Sequence, residues 1–179
     1  MTSGCFDIDH ARVDVPMVEA LKCIDKEMCA SACRSCPRYS TSWSCPPFDR
    51  YDFAGLHPDR FNTLSLIVTR FVSHEKMPLE TARRLFNEEM RKFMPRVRSE
   101  AKAKGGVVYG FACSCDLCTS PCTRNENKPC LHPVMAGPSL EAAGFDVGKL
   151  LERYCRMELS WSYDGFAPQT MTYVSAIAY

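Results

Sequence analysis

The longest regular pattern of apolar positions lies between residues 79 and 103. Six apolar side chains recur there with a helical period: Ala82, Phe86, Met90, Phe93, Val97 and Ala101. Such a stripe predicts one long amphipathic helix. Pro95 lies inside the pattern and predicts a kink or break, because proline removes a backbone donor and clashes with the preceding turn. Gly105 and Gly106 then mark the end of the helix.

Apolar segments rich in β-branched residues lie on both sides of this helix. Residues 64–72 and 107–112 each predict a buried strand. A strand, a long helix and a second strand form a crossover unit, so we expect the two strands to run parallel. The predicted fold class is α/β, with α+β as the alternative. We expect a single domain over residues 1–179, built on a central mixed sheet.

Shorter patterns predict the remaining elements. Residues 14–31 carry an apolar face of helical period, and residues 139–143 predict the start of a short helix. Asp146 is a candidate cap for a further helix. Residues 157–163 and 170–178 predict two closing strands.

Composition narrows the classes of function. The formal net charge is +1, which argues against nucleic acid or an anionic membrane surface as a partner. No apolar run approaches the roughly 18 residues that a membrane span needs. Residues 1–10 show no signal-peptide pattern. These features predict a cytoplasmic protein.

The unusual feature of the chain is its 12 cysteines, most of which lie in two dense blocks. Clustered cysteines in a chain with an adequate core and no export signal favour metal ligation over disulfides. Residues 29–47 and 113–133 therefore predict two cysteine-rich loops that each surround a metal centre.

The second block has the spacing Cys115-x2-Cys118-x3-Cys122-x7-Cys130. Sets of four cysteines with C-x2-C spacings hold cuboidal iron–sulfur clusters. Zinc ribbons usually show two C-x2-C pairs roughly 15–20 residues apart, and this block has one pair. We therefore favour an iron–sulfur cluster, of the 4Fe–4S type, with zinc as the alternative.

The first block contains Cys29, Cys33, Cys36 and Cys45, and Pro46 follows the last of them. A proline after the final cysteine also ends ferredoxin-type runs. Cys29 has a second interpretation as a buried thiol on a helix. In that case three thiolates would leave one iron open, and an open iron can act as a Lewis acid.

Other residues could assist the two centres. Cys113, His132 and Cys23 are candidates for a supporting role or for a substitute ligand. Tyr39, Trp43 and Phe48 could exclude water from the first centre. Four basic residues flank the thiolates and could offset the negative charge of the clusters: Arg34, Arg38, Arg124 and Lys128.

Three segments resemble a known family. They are residues 33–48 (CRSCPRYSTSWSCPPF), residues 115–133 (CDLCTSPCTRNENKPCLHP) and residues 137–147 (GPSLEAAGFDV). The chain resembles the uncharacterised "predicted metal-binding proteins" of bacteria and archaea, from roughly residue 29 to residue 177. It departs from the family pattern by the three residues before Cys122 and by Leu131 after Cys130. The resemblance implies metal binding and supplies no reaction.

Two iron–sulfur clusters in one small chain predict electron transfer, in anaerobic metabolism, with an unidentified redox partner protein. The first alternative is an enzyme whose open cluster acts on a small-molecule substrate, with Glu141, His132 or Arg124 as helpers. The second alternative is a structural zinc protein. No catalytic residue is assigned, and the oligomeric state is open.

Overall fold

The structure, a computed structural model, describes residues 4–111 and 115–179. The chain forms an α+β fold around a four-stranded sheet in the order β1-β2-β4-β3. The strands are β1 (Phe6–Pro16), β2 (Thr63–Ser73), β3 (Val107–Tyr109) and β4 (Thr170–Ala178). The α-helices are α1 (Met17–Ala20), α2 (Lys26–Arg34), α3 (Leu79–Ala103) and α4 (Val147–Leu150). Short 3-10 helices span Leu21–Cys23, Ala54–Leu56, Pro58–Arg60 and Thr123–Glu126, and a π-turn spans Leu151–Cys155.

The predicted crossover is present, with one strand inserted into it. β2 and β3 are both antiparallel to β4, so they run parallel to each other on either side of it. The α+β alternative therefore describes the fold. The sheet differs from the expected mixed sheet, because each neighbouring pair of its strands is antiparallel.

The long helix α3 covers one face of the sheet. Its buried stripe, which includes Phe86, Met90 and Met94, packs against Ile67, Phe71 and Ile177 of the strands. The helix continues through Pro95 without a break, contrary to the expected interruption. Buried neighbours on both sides of the proline offset the one lost backbone hydrogen bond.

The opposite face of the sheet is covered by α1 and by residues 140–151. Leu140, Phe145 and Leu150 are buried there against Leu66 and Ala176 of the sheet. Asp146 caps α4 as predicted, since its side chain accepts a hydrogen bond from the Lys149 amide at 3.0 Å. This layer carries the segment that reaches the candidate site.

Several local predictions were wrong. Residues 14–31 do not form one helix: β1 ends at Pro16, and Ile24 is extended because it bridges to Phe145. Residues 139–143 form turns, and residues 157–163 are extended and largely exposed, with one isolated bridge at Tyr163. β1 was missed as a strand because, lying at the sheet edge, it exposes most of its side chains and so lacks a continuous apolar run.

Within the described residues, no helix combines the length and apolarity that a membrane crossing requires.

Candidate metal centre

Helix α2 carries the first two cysteines of the first block. Asp25 caps it by accepting a hydrogen bond from the Met28 amide at 3.0 Å. Cys29 lies on its buried face, is 3% exposed, and its thiol donates to the carbonyl oxygen of Phe145 at 3.3 Å. Burial, followed by the charge of Glu141, raises the pKa of Cys29 to about 11. Cys33, one turn later, is only half-buried.

The chain after α2 folds into tight turns that turn Cys36 and Cys45 toward the same space. The Tyr39 amide donates to the Cys36 carbonyl at 2.9 Å, and the Ser40 amide donates to the Pro46 carbonyl at 3.1 Å. The Arg38 amide donates to the Cys36 sulfur at 3.4 Å. Amides directed at cysteine sulfur stabilise a thiolate, so this loop is suited to hold an anionic sulfur ligand.

We call the space beside this loop the first cavity. Its volume is about 630 Å³, and four of the predicted ligands lie on its wall: Cys33, Cys36, Cys45 and Cys115. Cys29 and the other three ligands of the second block do not line it. Non-cysteine residues complete the wall, among them Arg38, Glu80, Arg83, Arg98, Phe111, Met135, Glu141 and Trp161.

Glu141 places a carboxylate in the wall of the first cavity. Its Oε2 atom is buried and has no hydrogen-bond partner among the described residues. Burial raises the pKa of Glu141, against hydrogen bonds from its own amide and from Ser139. Burial and then the charge of Glu141 raise the pKa of Cys33, so the two side chains are electrostatic neighbours.

The second block surrounds a second cavity of about 400 Å³. All four predicted ligands, Cys115, Cys118, Cys122 and Cys130, lie on its wall together with Cys45. Burial and then the charges of Cys122 and Cys130 raise the pKa of Cys118. The two cavities therefore share Cys45 and Cys115 as lining residues. The structure brings the two cysteine blocks together at one place on the molecule.

Arg124 connects the two blocks. Its guanidinium donates to the carbonyl oxygens of Ser42 at 2.9 Å, Cys45 at 2.6 Å and Pro47 at 2.8 Å. Its side chain is 8% exposed, and the guanidinium lies 5.0 Å from the centre of the Trp43 ring. The side chain expected to flank the thiolates thus fixes the backbone of the first block to the second.

Aromatic residues form a small apolar cluster behind the second cavity. Trp43 and Phe53 are buried there, and Cys122 and Cys130 pack against the cluster. The Trp43 indole donates to the Lys128 carbonyl at 3.1 Å. Trp43 was expected to exclude water from the first centre, but it lies beside the second cavity and does not line the first.

Sequence reasoning missed the contribution of α3. Arg83 and Arg98 line the first cavity, and Arg91 lines the second. Arg98 also pairs with Asp116, and both side chains are largely buried. The detectable signal was the spacing, since arginines seven or eight residues apart lie on one helix face. These cations could offset the charge of thiolate-bound metal.

The remaining candidates lie elsewhere. Cys23 is 2% exposed in the core between the sheet and α4, away from both cavities. His132 contributes its backbone amide, which donates to the Cys130 sulfur at 3.4 Å. Cys113 lies outside the described residues.

None of the eight predicted ligand cysteines forms a disulfide. Within residues 4–111 and 115–179, no three Cys, His, Asp or Glu side chains converge closely enough to hold one metal ion. The thiols lie instead on the walls of the two cavities.

The fold and these cavities define an α+β protein with two adjoining cysteine-lined sites. The chain belongs to the family described as "Predicted metal-binding protein (DUF2284)", which matches residues 17–178. This confirms the family resemblance seen in the sequence, and the family is described as one of predicted metal-binding proteins. Comparison with curated proteins gave no match, and comparison with solved structures gave none either.

Proposed function

We propose that this protein binds two iron–sulfur clusters, of the 4Fe–4S type, and transfers electrons. The observation that carries the proposal is the sorting of the cysteines into two adjoining cavities. Cys33 and Cys36 line the first, and Cys118, Cys122 and Cys130 line the second. Cys45 and Cys115 line both, and their positions in the sequence assign Cys45 to the first set and Cys115 to the second. Apart from Cys33, which lies in the last turn of α2, both sets come from irregular segments, which can wrap closely around a compact inorganic group.

The donor atoms present suit such clusters. Soft thiolates select zinc, copper(I) or iron–sulfur clusters, whereas carboxylate-rich sites select magnesium or calcium. Both cavities offer backbone amides to cysteine sulfur, from Arg38 to Cys36 and from His132 to Cys130. Hydrogen bonds to the sulfurs are one of the ways in which proteins set cluster reduction potentials.

The surrounding residues would control charge and water. A four-iron cluster with four thiolates carries about −2 in its oxidised resting form, a charge that nearby cations offset. Arg38 lines both cavities, and the α3 arginines add further positive charge. Trp43 and its aromatic neighbours keep water from the second block. Both effects adjust the reduction potential.

Electron transfer follows from the chemistry and the position of the sites. A bound iron–sulfur cluster accepts and releases single electrons without a substrate. Because Cys45 and Cys115 line both cavities, the two sites are separated by little more than a shared wall. We therefore expect electrons to pass between the sites and on to a partner protein, in a reducing compartment such as the cytoplasm.

Two alternatives make different predictions. An enzyme with an open iron site is favoured by the position of Cys29, which leaves three thiols of the first block in the first cavity beside Cys115 of the second block. A structural zinc protein would use the same soft thiolates to hold the loops together. The identity of the bound metal distinguishes the structural zinc protein from the two iron–sulfur hypotheses. The number of protein ligands at the first centre distinguishes the enzyme from the electron-transfer protein.

The test is metal and sulfide analysis of protein purified without oxygen. We expect about eight iron and eight sulfide per chain, since each four-iron cluster contains four of each. Cys33→Ala and Cys118→Ala should each remove about half of the iron, because they lie in different sites. Cys23→Ala is the matched control, since Cys23 is a core thiol. A colourless protein with stoichiometric zinc and no sulfide would contradict the proposal.

A further inference from the structure

Glu141 is held at the edge of the first cavity by a constrained turn. A Cβ atom at Gly137 would lie 2.8 Å from the Val108 carbonyl oxygen, so the chain passes β3 at a distance that only glycine permits. The Gly110 amide donates to the Pro138 carbonyl at 3.1 Å. At the far end of the turn, the Asp25 amide donates to the Gly144 carbonyl at 2.9 Å.

These contacts tie the turn to both elements that carry the first cavity. β3 leads into the second cysteine block, and Asp25 caps the helix that carries Cys33. The position of Glu141 is therefore determined by the same backbone that determines the position of Cys33. A carboxylate held in this way is preorganised with respect to the thiol.

One carboxylate oxygen of Glu141 accepts no hydrogen bond from any residue that the structure describes. Oε2 is buried and unpartnered among the described residues, although buried polar atoms are nearly always satisfied. The other cavity-lining glutamate, Glu80, has an exposed side chain that pairs with Arg83 at 2.9 Å. Because Glu141 lines the first cavity, rotation of its side chain would bring Oε2 to a group bound there.

Cys29, the expected fourth ligand, is committed elsewhere. Its thiol donates to the Phe145 carbonyl, and it lies outside the cavity wall. To ligate metal it would have to lose that hydrogen bond and its proton, and to leave the face of α2 that packs inward. Glu141 needs no such change, because it already lies in the wall of the first cavity, which Cys33 also lines.

We propose that the first cluster is held by Cys33, Cys36, Cys45 and the carboxylate of Glu141, with Cys29 serving only the protein core. This assignment rests on the proposed function, since it presumes an iron–sulfur cluster in the first cavity. An oxygen ligand binds iron less firmly than a thiolate does, so one iron of this cluster is the exchangeable one. Arginines line the wall of the first cavity, which suits a small anionic ligand at that iron.

The assignment is tested by the loss of that single iron. Oxidation with ferricyanide converts a [4Fe–4S]²⁺ cluster into [3Fe–4S]⁺, with release of one Fe²⁺ and transfer of one electron to the oxidant. In the wild-type protein we expect a three-iron paramagnetic resonance signal of about one spin per chain, from the first cluster alone. Glu141→Cys, which supplies a fourth thiolate, should reduce this signal to below about a tenth.

Removal of each candidate ligand gives the complementary result. Glu141→Ala should yield about one iron fewer per chain as purified. Loss of Fe²⁺ leaves [3Fe–4S]⁰, so one-electron oxidation by ferricyanide should then give the three-iron signal without further loss of iron. Cys29→Ala should leave the iron content and the three-iron signal unchanged. If the alanine variant does not fold, Cys29→Ser is used instead, because serine keeps a donor for the Phe145 carbonyl. Glu80→Ala is the control for loss of a carboxylate from the same cavity.

The outcomes separate the two levels of the proposal. If Cys29→Ala or Cys29→Ser loses about half of the iron while Glu141→Ala retains all of it, the ligand assignment is wrong and the two-cluster protein stands. If the wild-type protein holds no iron and sulfide, the proposed function fails first. Circular dichroism of each variant, compared with the wild-type protein, shows whether it is folded.

Discussion

Replacement of Arg124 by alanine tests whether the two cysteine blocks form one structural unit. The guanidinium donates to three backbone carbonyls of the first block, and the contacts with Ser42 and Cys45 are partly buried. Hydrogen bonds from a charged donor contribute about 1.5–3 kcal/mol each. The contact with Pro47 is exposed, so water can replace the donor there. We assign each of the two partly buried hydrogen bonds an energy near the low end of this range. The expected loss in the free energy of unfolding is then about 3–4 kcal/mol.

The measurement is urea unfolding of reduced protein, followed by circular dichroism without oxygen. Arg124→Lys keeps the charge but lacks the planar fork that serves two acceptors, so we expect about half of that loss. Arg84→Ala is the matched control, because its partner Glu88 is exposed and such pairs contribute at most about 0.5 kcal/mol. A loss of less than about 1 kcal/mol for Arg124→Ala would refute the argument that this side chain joins the blocks.

Three further predictions concern the scaffold of the site. Asp25→Ala should lower the free energy of unfolding by about 1 kcal/mol and lower the iron retained at the first site. Asp146→Ala, at the cap of a helix that carries no predicted ligand, should lower the free energy of unfolding equally and leave the iron content unchanged. Equal loss of iron in both variants would contradict this. Tyr109→Phe should cost about 1–2 kcal/mol in urea unfolding, because its fully buried hydroxyl donates to the Gly55 carbonyl at 2.8 Å; a neutral effect would show that bond to be unimportant. Burial lowers the pKa of His10 below its ordinary value of 6.5. The contribution of neutral His10 to stability is therefore present above pH 6.5 and is lost as the pH falls through the lower pKa of the folded state. His10→Gln should flatten this part of the stability–pH curve, and an unchanged curve would contradict the shift.

Periodicity predicted the parts of the fold that are buried continuously. The apolar stripe of α3 and the apolar run of β2 are both found where the sequence placed them. Each of these signals is local, because the residues that share a face are a few positions apart. The crossover rule also held, since β2 and β3 run parallel. Nothing in that rule indicates that β4, from the end of the chain, lies between them.

The failures occurred where distant parts of the chain decide the local structure. Residues 14–31 carry a helical pattern, yet Ile24 is extended because it pairs with Phe145 across more than a hundred residues. Pro95 does not break α3, because Met94 and Val97 beside it are buried. In each case tertiary contacts override a local preference, as they commonly do.

The sequence indicated the cysteines that line the two cavities and, less clearly, the other residues there; metal ligation by these cysteines stays a prediction. Spacing alone grouped the cysteines of each block, because ligands a few residues apart can reach one centre. Whether Cys29 is a ligand or a core thiol depends on which face of α2 packs against the rest of the protein. The sequence does not show that face, whereas the hydrogen bond from Cys29 to the Phe145 carbonyl does. Glu141 was one of several helpers in the sequence. Its isolated, buried oxygen distinguishes it in the structure.

The central claim is that two iron–sulfur centres occupy adjoining cavities, and the direct measurement is paramagnetic resonance of the anaerobic protein reduced with dithionite. Because the cavities share Cys45 and Cys115, we expect two reduced centres whose signals are broadened by their magnetic interaction. In Cys118→Ala the remaining signal should sharpen to that of one isolated centre. Absence of any signal from a zinc-containing protein, or a wild-type spectrum of a single isolated centre, would contradict the account.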